Sequence, residues 1–356
     1  MIERRIAASR PSRLMAEPVN FLHGIDLDAD HAVFFETNRR LLGDAAFVDG
    51  RSDIASGPPE FARLSELMRT APSEPSPERF IFHMSFCGST LLSRLIDVPG
   101  QSLVLKEPNC LVDLSTWKSL TRRTRASTER LGPALQLAGK ALRRPFELGE
   151  AVTVKPSSWA NNLIEELVAD GAGILPLFVT IDRSDFLRAV VRGGTARLTF
   201  TAQLAWHMAS DVAGGDDLLA VAAAAGRDPL GKAANLALVA HHLQLGAFRR
   251  GLHRGGWGAG RILGFRTITQ SPLEAAVKTC RALRLPVEKD ELARNVERHS
   301  GRHAKQPLIG SSAASRSADD AAVLAHHRET LESALAWAGK ALGAEVDLET
   351  LARQPA

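Results

Sequence analysis

Short apolar runs that end in charged or small residues recur through the middle of the chain. The first run, FIFHM at residues 80–84, is followed by a Gly/Ser/Thr turn and the helical segment LLSRLID. Three more runs, SLVL, AVTV and ILPLFVTI, end at residues 105, 154 and 181. Runs this apolar are typical of parallel strands that helices cover on both faces. The pattern therefore predicts an α/β fold with a central parallel sheet flanked by helices.

Beyond residue 195 the apolar positions change to helical spacing. Two stripes of this kind predict amphipathic helices whose apolar faces belong to the core: Phe200, Leu204, Met208 and Val212, then Leu236, Val239, Leu243 and Ala247. The run RILGFRTI at 261–268 predicts a further strand. The segment Ser271-Pro272-Leu273-Glu274 has the residues of a capping box with proline at the first helical position, and it predicts the start of another helix.

The N-terminal residues lack these regularly spaced apolar runs. They predict an irregular start and a helix near Pro59–Arg69, followed by the segment APSEPSPE. Its three prolines end any regular element, because proline lacks an N–H donor and disfavours the helical conformation before it. We therefore expect a partly helical N-terminal extension over 1–78 and a main domain over 79–356.

Length and cysteine content narrow the class of protein. A chain of 356 residues can bury a sizeable core without covalent staples. The three cysteines are widely spaced and form no CxxC pair, which argues against both a zinc ribbon and a secreted disulfide framework. The basic N-terminus has no apolar segment behind it, and no apolar run approaches the roughly 18 residues of a membrane span. We expect a soluble cytoplasmic protein without a membrane partner.

The net charge of +4 is a mild excess, and its distribution carries more information. The stretch 118–144 contains eight Lys or Arg residues and a single acid, Glu129. It is interpreted as a solvated helical face, with a surface that attracts an anionic acceptor as the alternative. Nucleic acid is not predicted as a partner. The adjacent pairs His241-His242 and His326-His327 diverge by about 100° on a helix, so no metal site is predicted.

The turn after the first strand has the composition of a phosphate-binding loop. Small residues between a strand and a helix let backbone N–H groups turn around an anion, and the helix dipole adds favourable charge. The position before Thr90 is Ser89, where the pattern GxxxxGK[ST] of P-loop NTPases has a lysine that reaches the β- and γ-phosphates. ATP chemistry is therefore disfavoured, whereas binding of a shorter 5′-phosphate group is not. The candidate nucleotide-binding residues are Phe86, Cys87, Gly88, Ser89, Thr90 and Leu91.

Charged residues follow the next three strands. Lys106 and Glu107 come after the second strand, Lys155 after the third, and Arg183-Ser184 after the fourth. The carboxyl ends of parallel strands meet at one edge of a sheet, where ligands bind. These side chains are therefore candidates for one site, although any single charged strand end also fits an ordinary solvent-facing loop.

Together these segments resemble the P-loop sulfotransferases. Residues 87–92, CGSTLL, match the family's loop, and the resemblance continues at LVLKEP, at Lys155-Pro156, at IDRSDFLRAVV and at ILGFRTITQSPLEAAVKTCRALRL. It covers 79–195 well and 260–290 more loosely. The family's fold is a P-loop nucleotide-binding fold, with extra helices covering the acceptor side.

The resemblance implies 3′-phosphoadenosine 5′-phosphosulfate as the sulfuryl donor. The loop would hold the 5′-phosphosulfate, and Arg183 matches the arginine that contacts the 3′-phosphate. The serine expected eight residues after that arginine is replaced by Val191, so Ser184 or Arg192 would have to substitute. A late basic loop that covers the nucleotide would come from 302–305, with Arg302, His303 and Lys305 as its basic residues.

By the same resemblance, the chain would transfer a sulfuryl group to a hydroxyl or amine acceptor without a metal. Lys155 would lie near the bridging oxygen, Lys106 or Lys155 would stabilise the transferred charge, and Glu107 would act as general base. Burial would raise the pKa of Glu107, while a neighbouring lysine would lower it. A nucleotide-dependent kinase and a non-catalytic nucleotide- or polyanion-binding protein are the alternatives.

Overall fold

A computed structural model of the chain describes residues 11–70, 78–121, 125–169, 173–299, 313–345 and 348. These residues form two β-sheets and a set of helices around a shared hydrophobic core. The strands are β1 Asn20–Asp26, β2 His31–Glu36, β3 Glu60–Arg63, β4 Glu78–His83, β5 Ser102–Lys106, β6 Ala151–Lys155, β7 Ile174–Thr180 and β8 Ile262–Gly264.

The larger sheet is parallel and has the strand order β5-β6-β4-β7-β8. Its strands β5 and β6 are buried along their whole length, as their unbroken apolar runs require. The chain leaving β4 crosses to β5 on one side, whereas the chain leaving β7 continues to β8 on the other. The loops after the neighbouring strands β4 and β7 therefore diverge, which is the topological switch point where open α/β sheets bind ligands.

Helices occupy most of the remaining described chain. In order they are α1 Pro11–Ala16, α2 Arg39–Asp44, α3 Leu64–Thr70, α4 Ser89–Ile96, α5 Asn109–Thr121, α6 Arg125–Leu142, α7 Ile164–Leu167, α8 Arg183–Arg192, α9 Gly194–Ala209, α10 Gly215–Ala225, α11 Pro229–Gly255, α12 Phe265–Gln270, α13 Pro272–Leu283, α14 Lys289–His299 and α15 Ala313–Ala341. Helices α4, α13 and α14 pack together, and α11 packs on β7 through Phe248 and Phe178. Within the described ranges, none of these helices is long and apolar enough to cross a membrane.

The predicted parallel sheet is confirmed, but its last strand is shorter than the sequence indicated. Of the run at 261–268, only Ile262–Gly264 pairs as β8, and the chain then forms α12. Gly264 has extended backbone and stands as the N-cap of that helix, so the apolar run changes from strand to helix in its middle. Helix α13 does begin at Pro272, but the Ser271 side chain makes no capping hydrogen bond.

The N-terminal residues contain an antiparallel sheet that the hydrophobic pattern did not indicate. Its order is β1-β2-β3, and β3 with α3 replaces the single helix expected near Pro59–Arg69. Strand β1 is buried on both faces over most of its length, so it lacks the polar alternation of a half-exposed strand. The N–H of Val48 donates to the Lys106 carbonyl at 2.7 Å, which joins this region to the carboxyl edge of β5.

Candidate functional site

The turn between β4 and α4 has the backbone form of an anion-binding concavity. Phe86 has φ +65° and Gly88 has φ +82°, whereas Cys87 between them does not adopt the left-handed conformation. Successive residues that alternate in this way direct backbone N–H groups to one side. The helix starts at Ser89, so the N–H groups of its first turn have no acceptors within the helix. The loop can therefore offer several amide donors to one anion.

Tertiary packing holds this loop in its strained form. A left-handed φ is uncommon for a phenylalanine and persists where its surroundings impose it. The Phe86 ring lies 6.0 Å from that of Phe186 and 6.3 Å from that of Phe200, and the Arg197 guanidinium lies 4.8 Å from its centroid. On the helical side Ser89 and Thr90 are buried. The concavity is thus pre-formed.

The Cys87 side chain is not a nucleophile in this loop. It is fully buried, and burial raises the pKa of its thiol to about 11, although hydrogen bonding to Ser89 and the charge of Lys155 act in the opposite direction. A thiol with so high a pKa remains protonated near neutrality and reacts slowly. The side chain therefore fills space beneath the loop while its backbone contributes to the concavity.

Beside the loop, the ends of three strands bring together a buried lysine, a carboxylate and an imidazole. Lys155 is fully buried, and its Nζ donates to Glu107 Oε1 at 2.7 Å and contacts His83 Nε2 at 3.2 Å. His83 Nδ1 lies 3.0 Å from the Met84 carbonyl, which can only accept, so Nδ1 carries the proton. Nε2 then accepts from Lys155, which leaves one of the three ammonium donors without a partner among the described residues.

Glu107 is the second strained residue of this edge. It has φ +63° directly after β5, and 9 % of its surface is exposed. Its Oε2 accepts from Arg51 Nη2 at 2.9 Å, and the Arg51 guanidinium carbon lies 3.8 Å from the Phe47 ring centroid. Burial alone would raise the pKa of Glu107, but the charges of Lys155 and Arg51 and the hydrogen bond from Lys155 outweigh it and hold the pKa at about 2. In this state Glu107 is a stable carboxylate and a weak base.

Lys106 does not join the cluster. Its side chain is fully buried, and its Nζ donates to the Gly43 carbonyl at 2.8 Å and pairs with Asp97 at 3.4 Å. Asp97 also binds Arg39, so Lys106 belongs to a buried ionic cluster that ties α2 to the sheet. Burial lowers the pKa of Lys106. The expectation of a catalytic Lys106 is corrected to a structural role.

The residues expected at the 3′-phosphate lie at two ends of α8. Arg183 is 6 % exposed at the first position of the helix, and its Nη1 donates to the Gly343 carbonyl at 3.2 Å. Ser184 instead lines a small groove between α8 and α15, and Arg192 lies nine residues after Arg183, at the last position of α8. Val191, at the position of the expected serine, is buried in the core.

Three residues of this site escaped the sequence analysis. His83 looked like part of an apolar strand, and Arg197 followed no recognisable motif. Arg51 comes from the N-terminal region that the resemblance did not cover, and it reaches Glu107 from a segment whose Val48 N–H donates to the Lys106 carbonyl. Only His83 carried a usable signal, since a histidine that ends a buried strand faces the ligand edge.

A serine–histidine contact away from the sheet edge is structural. Ser115 Oγ lies 2.8 Å from His207 Nε2, but the same nitrogen lies 3.0 Å from the Trp159 carbonyl, so it carries the proton and donates. The Ser115 hydroxyl donates instead to Asn162 Oδ1 at 2.7 Å. His207 therefore cannot accept a proton from Ser115, which is itself fully buried.

Buried histidines predict a loss of stability in mild acid. Burial lowers the pKa of His207 and of His241 to about 4, from 6.5 in an exposed side chain. Between these values the unfolded chain takes up protons that the folded chain does not, so the free energy of unfolding falls as pH falls from 6.5. We expect a loss of roughly 2 kcal/mol per histidine between pH 7.5 and pH 5.

Urea unfolding measured across this pH range checks the expectation. His207→Gln should flatten the dependence, because it removes one of the protons linked to unfolding, whereas the matched control His31→Gln alters an exposed residue and should preserve it. An equal slope in wild type and His207→Gln would contradict the assignment.

The described residues contain no group of three or more His, Cys, Asp or Glu side chains that could hold a metal ion. His241 is buried, and its Nε2 contacts the Ile181 carbonyl at 2.9 Å, while His326 Nδ1 contacts the Ala322 carbonyl of its own helix. The candidate basic loop at 302–305 lies outside the described residues.

Comparisons of this chain with protein-family models, with curated proteins and with solved structures find no match. The site is therefore interpreted from its own residues. Its assembled parts are the strained loop at 84–88, the cluster of Lys155, Glu107 and His83, and the buried start of α8 at Arg183.

Proposed function

We propose that this chain is a sulfotransferase of the P-loop nucleotide-binding fold, with 3′-phosphoadenosine 5′-phosphosulfate as donor and a hydroxyl or amine as acceptor. The observation that carries the proposal is a strained amide loop without a lysine of its own, beside a buried lysine from another strand end. The loop suits a short 5′-phosphate group, and Lys155 supplies the positive charge that the transferred group needs.

The donor side of the proposal rests on the loop. Its amides and the N-terminus of α4 would bind the 5′-phosphate, because they present donors and a positive helix dipole to one point. Thr90 lies in the first turn of that helix, where its hydroxyl would add a donor. A triphosphate with Mg²⁺ fits less well, since Ser89 stands in place of the lysine that bridges β- and γ-phosphates in P-loop NTPases.

Lys155 is the proposed source of transition-state stabilisation. Sulfuryl transfer, like phosphoryl transfer, asks the protein mainly to align donor and acceptor and to stabilise charge on the leaving oxygen. Two of the three Nζ donors are directed at Glu107 and His83. The third can bind an oxygen of the transferred group, and the Glu107 carboxylate pairs with the lysine at 2.7 Å.

Glu107 is proposed as general base only in the substrate complex. In the free protein its pKa of about 2 leaves it little affinity for a proton. Lys155 is the largest of the electrostatic causes that hold the pKa down, so the basicity of Glu107 would rise once the negative charge of the donor offsets the charge of that lysine.

The assignment of Arg183 to the 3′-phosphate gives a selectivity prediction. Arg183→Ala should weaken binding of adenosine 3′,5′-bisphosphate by about 10- to 100-fold, which is the effect of losing a charge-assisted hydrogen bond. Adenosine 5′-monophosphate lacks the 3′-phosphate, and its affinity should change little. Isothermal titration calorimetry with both nucleotides measures the difference.

The matched control for this experiment is Arg188→Ala. Arg188 is on the same helix and carries the same charge, but it pairs with Asp185. Its removal should leave the ratio of the two affinities unchanged. An equal loss of both nucleotides in Arg183→Ala would refute the assignment.

A further inference from the structure

The chain that follows α15 covers the first turn of α8. The backbone N–H of Arg183 donates to Glu345 Oε1 at 2.6 Å, and the Arg183 guanidinium donates to the Gly343 carbonyl at 3.2 Å. Gly343 has φ +79°, which lets the chain turn sharply after the helix. A carboxylate from the far end of the described chain therefore accepts the hydrogen bond of the first amide of α8.

This position has the properties of an anion site. Helix α8 spans ten residues, and the Arg183 amide at its first position has no acceptor within the helix, while the N-cap Asp182 makes no side-chain capping bond to the amides that follow. Arg183 itself is 6 % exposed, and its buried Nε has no hydrogen-bond partner among the described residues. A buried, incompletely satisfied guanidinium beside a helix N-terminus is suited to an anion with more oxygens than a carboxylate.

The surroundings of Glu345 disfavour its ionised carboxylate. Burial raises the pKa of Glu345, and although Arg183 stabilises the carboxylate, the nearby charges of Asp182 and Asp185 oppose it. His241 Nε2 lies 3.8 Å away, but burial keeps the pKa of this histidine at about 4, so it adds no positive charge near neutrality. The carboxylate is thus a weakly favoured occupant that a better anion can replace.

We propose that Glu345 occupies the 3′-phosphate position of the nucleotide site, so that the segment 343–345 competes with the nucleotide and moves away when it binds. This inference rests on the proposed function. A purely structural reading assigns Arg183 to capping α15, whose last carbonyls favour a nearby cation. The two readings differ in what happens to nucleotide affinity when the carboxylate is removed.

The test compares wild type, Glu345→Gln and Glu345→Ala by calorimetric titration with adenosine 3′,5′-bisphosphate and with adenosine 5′-monophosphate. Glu345→Ala should bind the bisphosphate about tenfold more tightly, because no internal acceptor has to be displaced. Glu345→Gln keeps the shape of the side chain and should give a smaller gain. Neither substitution should change the affinity for the monophosphate. Glu329→Gln, the same change on an exposed residue of α15, is the matched control.

Each result of these titrations supports or contradicts the competition between Glu345 and the nucleotide. Equal affinity of wild type and both variants for the bisphosphate, or weaker binding by Glu345→Ala, would overturn the inference and leave Glu345 and Arg183 as a structural contact. An equal gain for both nucleotides would also overturn it, since the competition would not involve the 3′-phosphate. If Glu345→Ala fails to fold, the affinity of Glu345→Gln for the bisphosphate is compared with that of wild type instead. If wild type and variants alike bind neither nucleotide, the proposed function itself fails, and the inference fails with it.

Discussion

Gly88→Val is expected to abolish binding of adenosine 3′,5′-bisphosphate in a protein that still folds. Gly88 has φ +82°, a conformation that costs a residue with a Cβ about 1–2 kcal/mol and a β-branched residue more. A Cβ at this position would lie 3.3 Å from Ile268 Cγ2 and 3.5 Å from Phe265 Cδ2. The added bulk therefore presses on α12, and the loop must shift, which separates the amides that would converge on the phosphate.

Two companion variants make this result interpretable. Gly88→Ala adds the same backbone strain with less bulk, so it should weaken binding without abolishing it. Gly149→Val is the matched control, because Gly149 also has a left-handed φ of +86° but lies just before β6, at the opposite end of the strand from Lys155, with no atom within 4 Å of an added Cβ. Calorimetric titration of the three variants gives the ranking. Undiminished affinity in folded Gly88→Val would show that the loop is not the nucleotide site.

Lys155→Met is expected to cause the largest loss of stability. Removing one partner of a buried ion pair costs about 3–5 kcal/mol, because the other charge stays buried without compensation. Glu107 retains Arg51 on its second oxygen, so we expect a value near the lower end. The same substitution removes the charge that the proposed reaction requires, and turnover should become undetectable once an acceptor is known.

The double variant Glu107→Gln/Lys155→Met separates the effect of the unpaired charge on stability from the effect of lost packing. It removes both charges, so its free energy of unfolding should recover part of the loss caused by Lys155→Met alone. Urea unfolding of the two single variants and the double variant gives the interaction energy. Strict additivity of the single losses would contradict a direct coupling between Lys155 and Glu107.

The parallel sheet was predictable because its strands are uniformly apolar and end at charged or small residues. The antiparallel sheet was not, since β1 is buried on both faces and carries no alternation. The strand expected at 261–268 became β8 and α12, because the chain leaves the sheet at Gly264 and enters a helix, a change that an apolar run does not reveal. The hydrophobic pattern therefore predicted the strands whose uniform burial is visible in the sequence. It missed the elements whose conformation depends on contacts with a neighbouring segment.

The candidate site was likewise predictable only in part from the sequence. Lys155 and Glu107 were brought together as expected from the common edge of parallel strands. Lys106 was assigned to the edge by the same reasoning, but its side chain reaches Asp97 and Gly43 instead. Arg51 could not be foreseen, because its contact with Glu107 depends on how the N-terminal region packs at the end of β5, where Val48 bonds to the Lys106 carbonyl. The pKa of Glu107 likewise depended on partners that only the fold supplies.

Thermal unfolding in the presence of adenosine 3′,5′-bisphosphate, compared with Mg–ATP, tests the proposed function most directly. At about 100 times its Kd, the bisphosphate should add roughly 2.7 kcal/mol to the free energy of unfolding and raise Tm by several degrees, while Mg–ATP should leave it unchanged. The reverse result would indicate a kinase. No shift with either nucleotide, together with salt-dependent binding of polyanions, would indicate a non-catalytic protein. Either of the last two results would contradict a sulfotransferase.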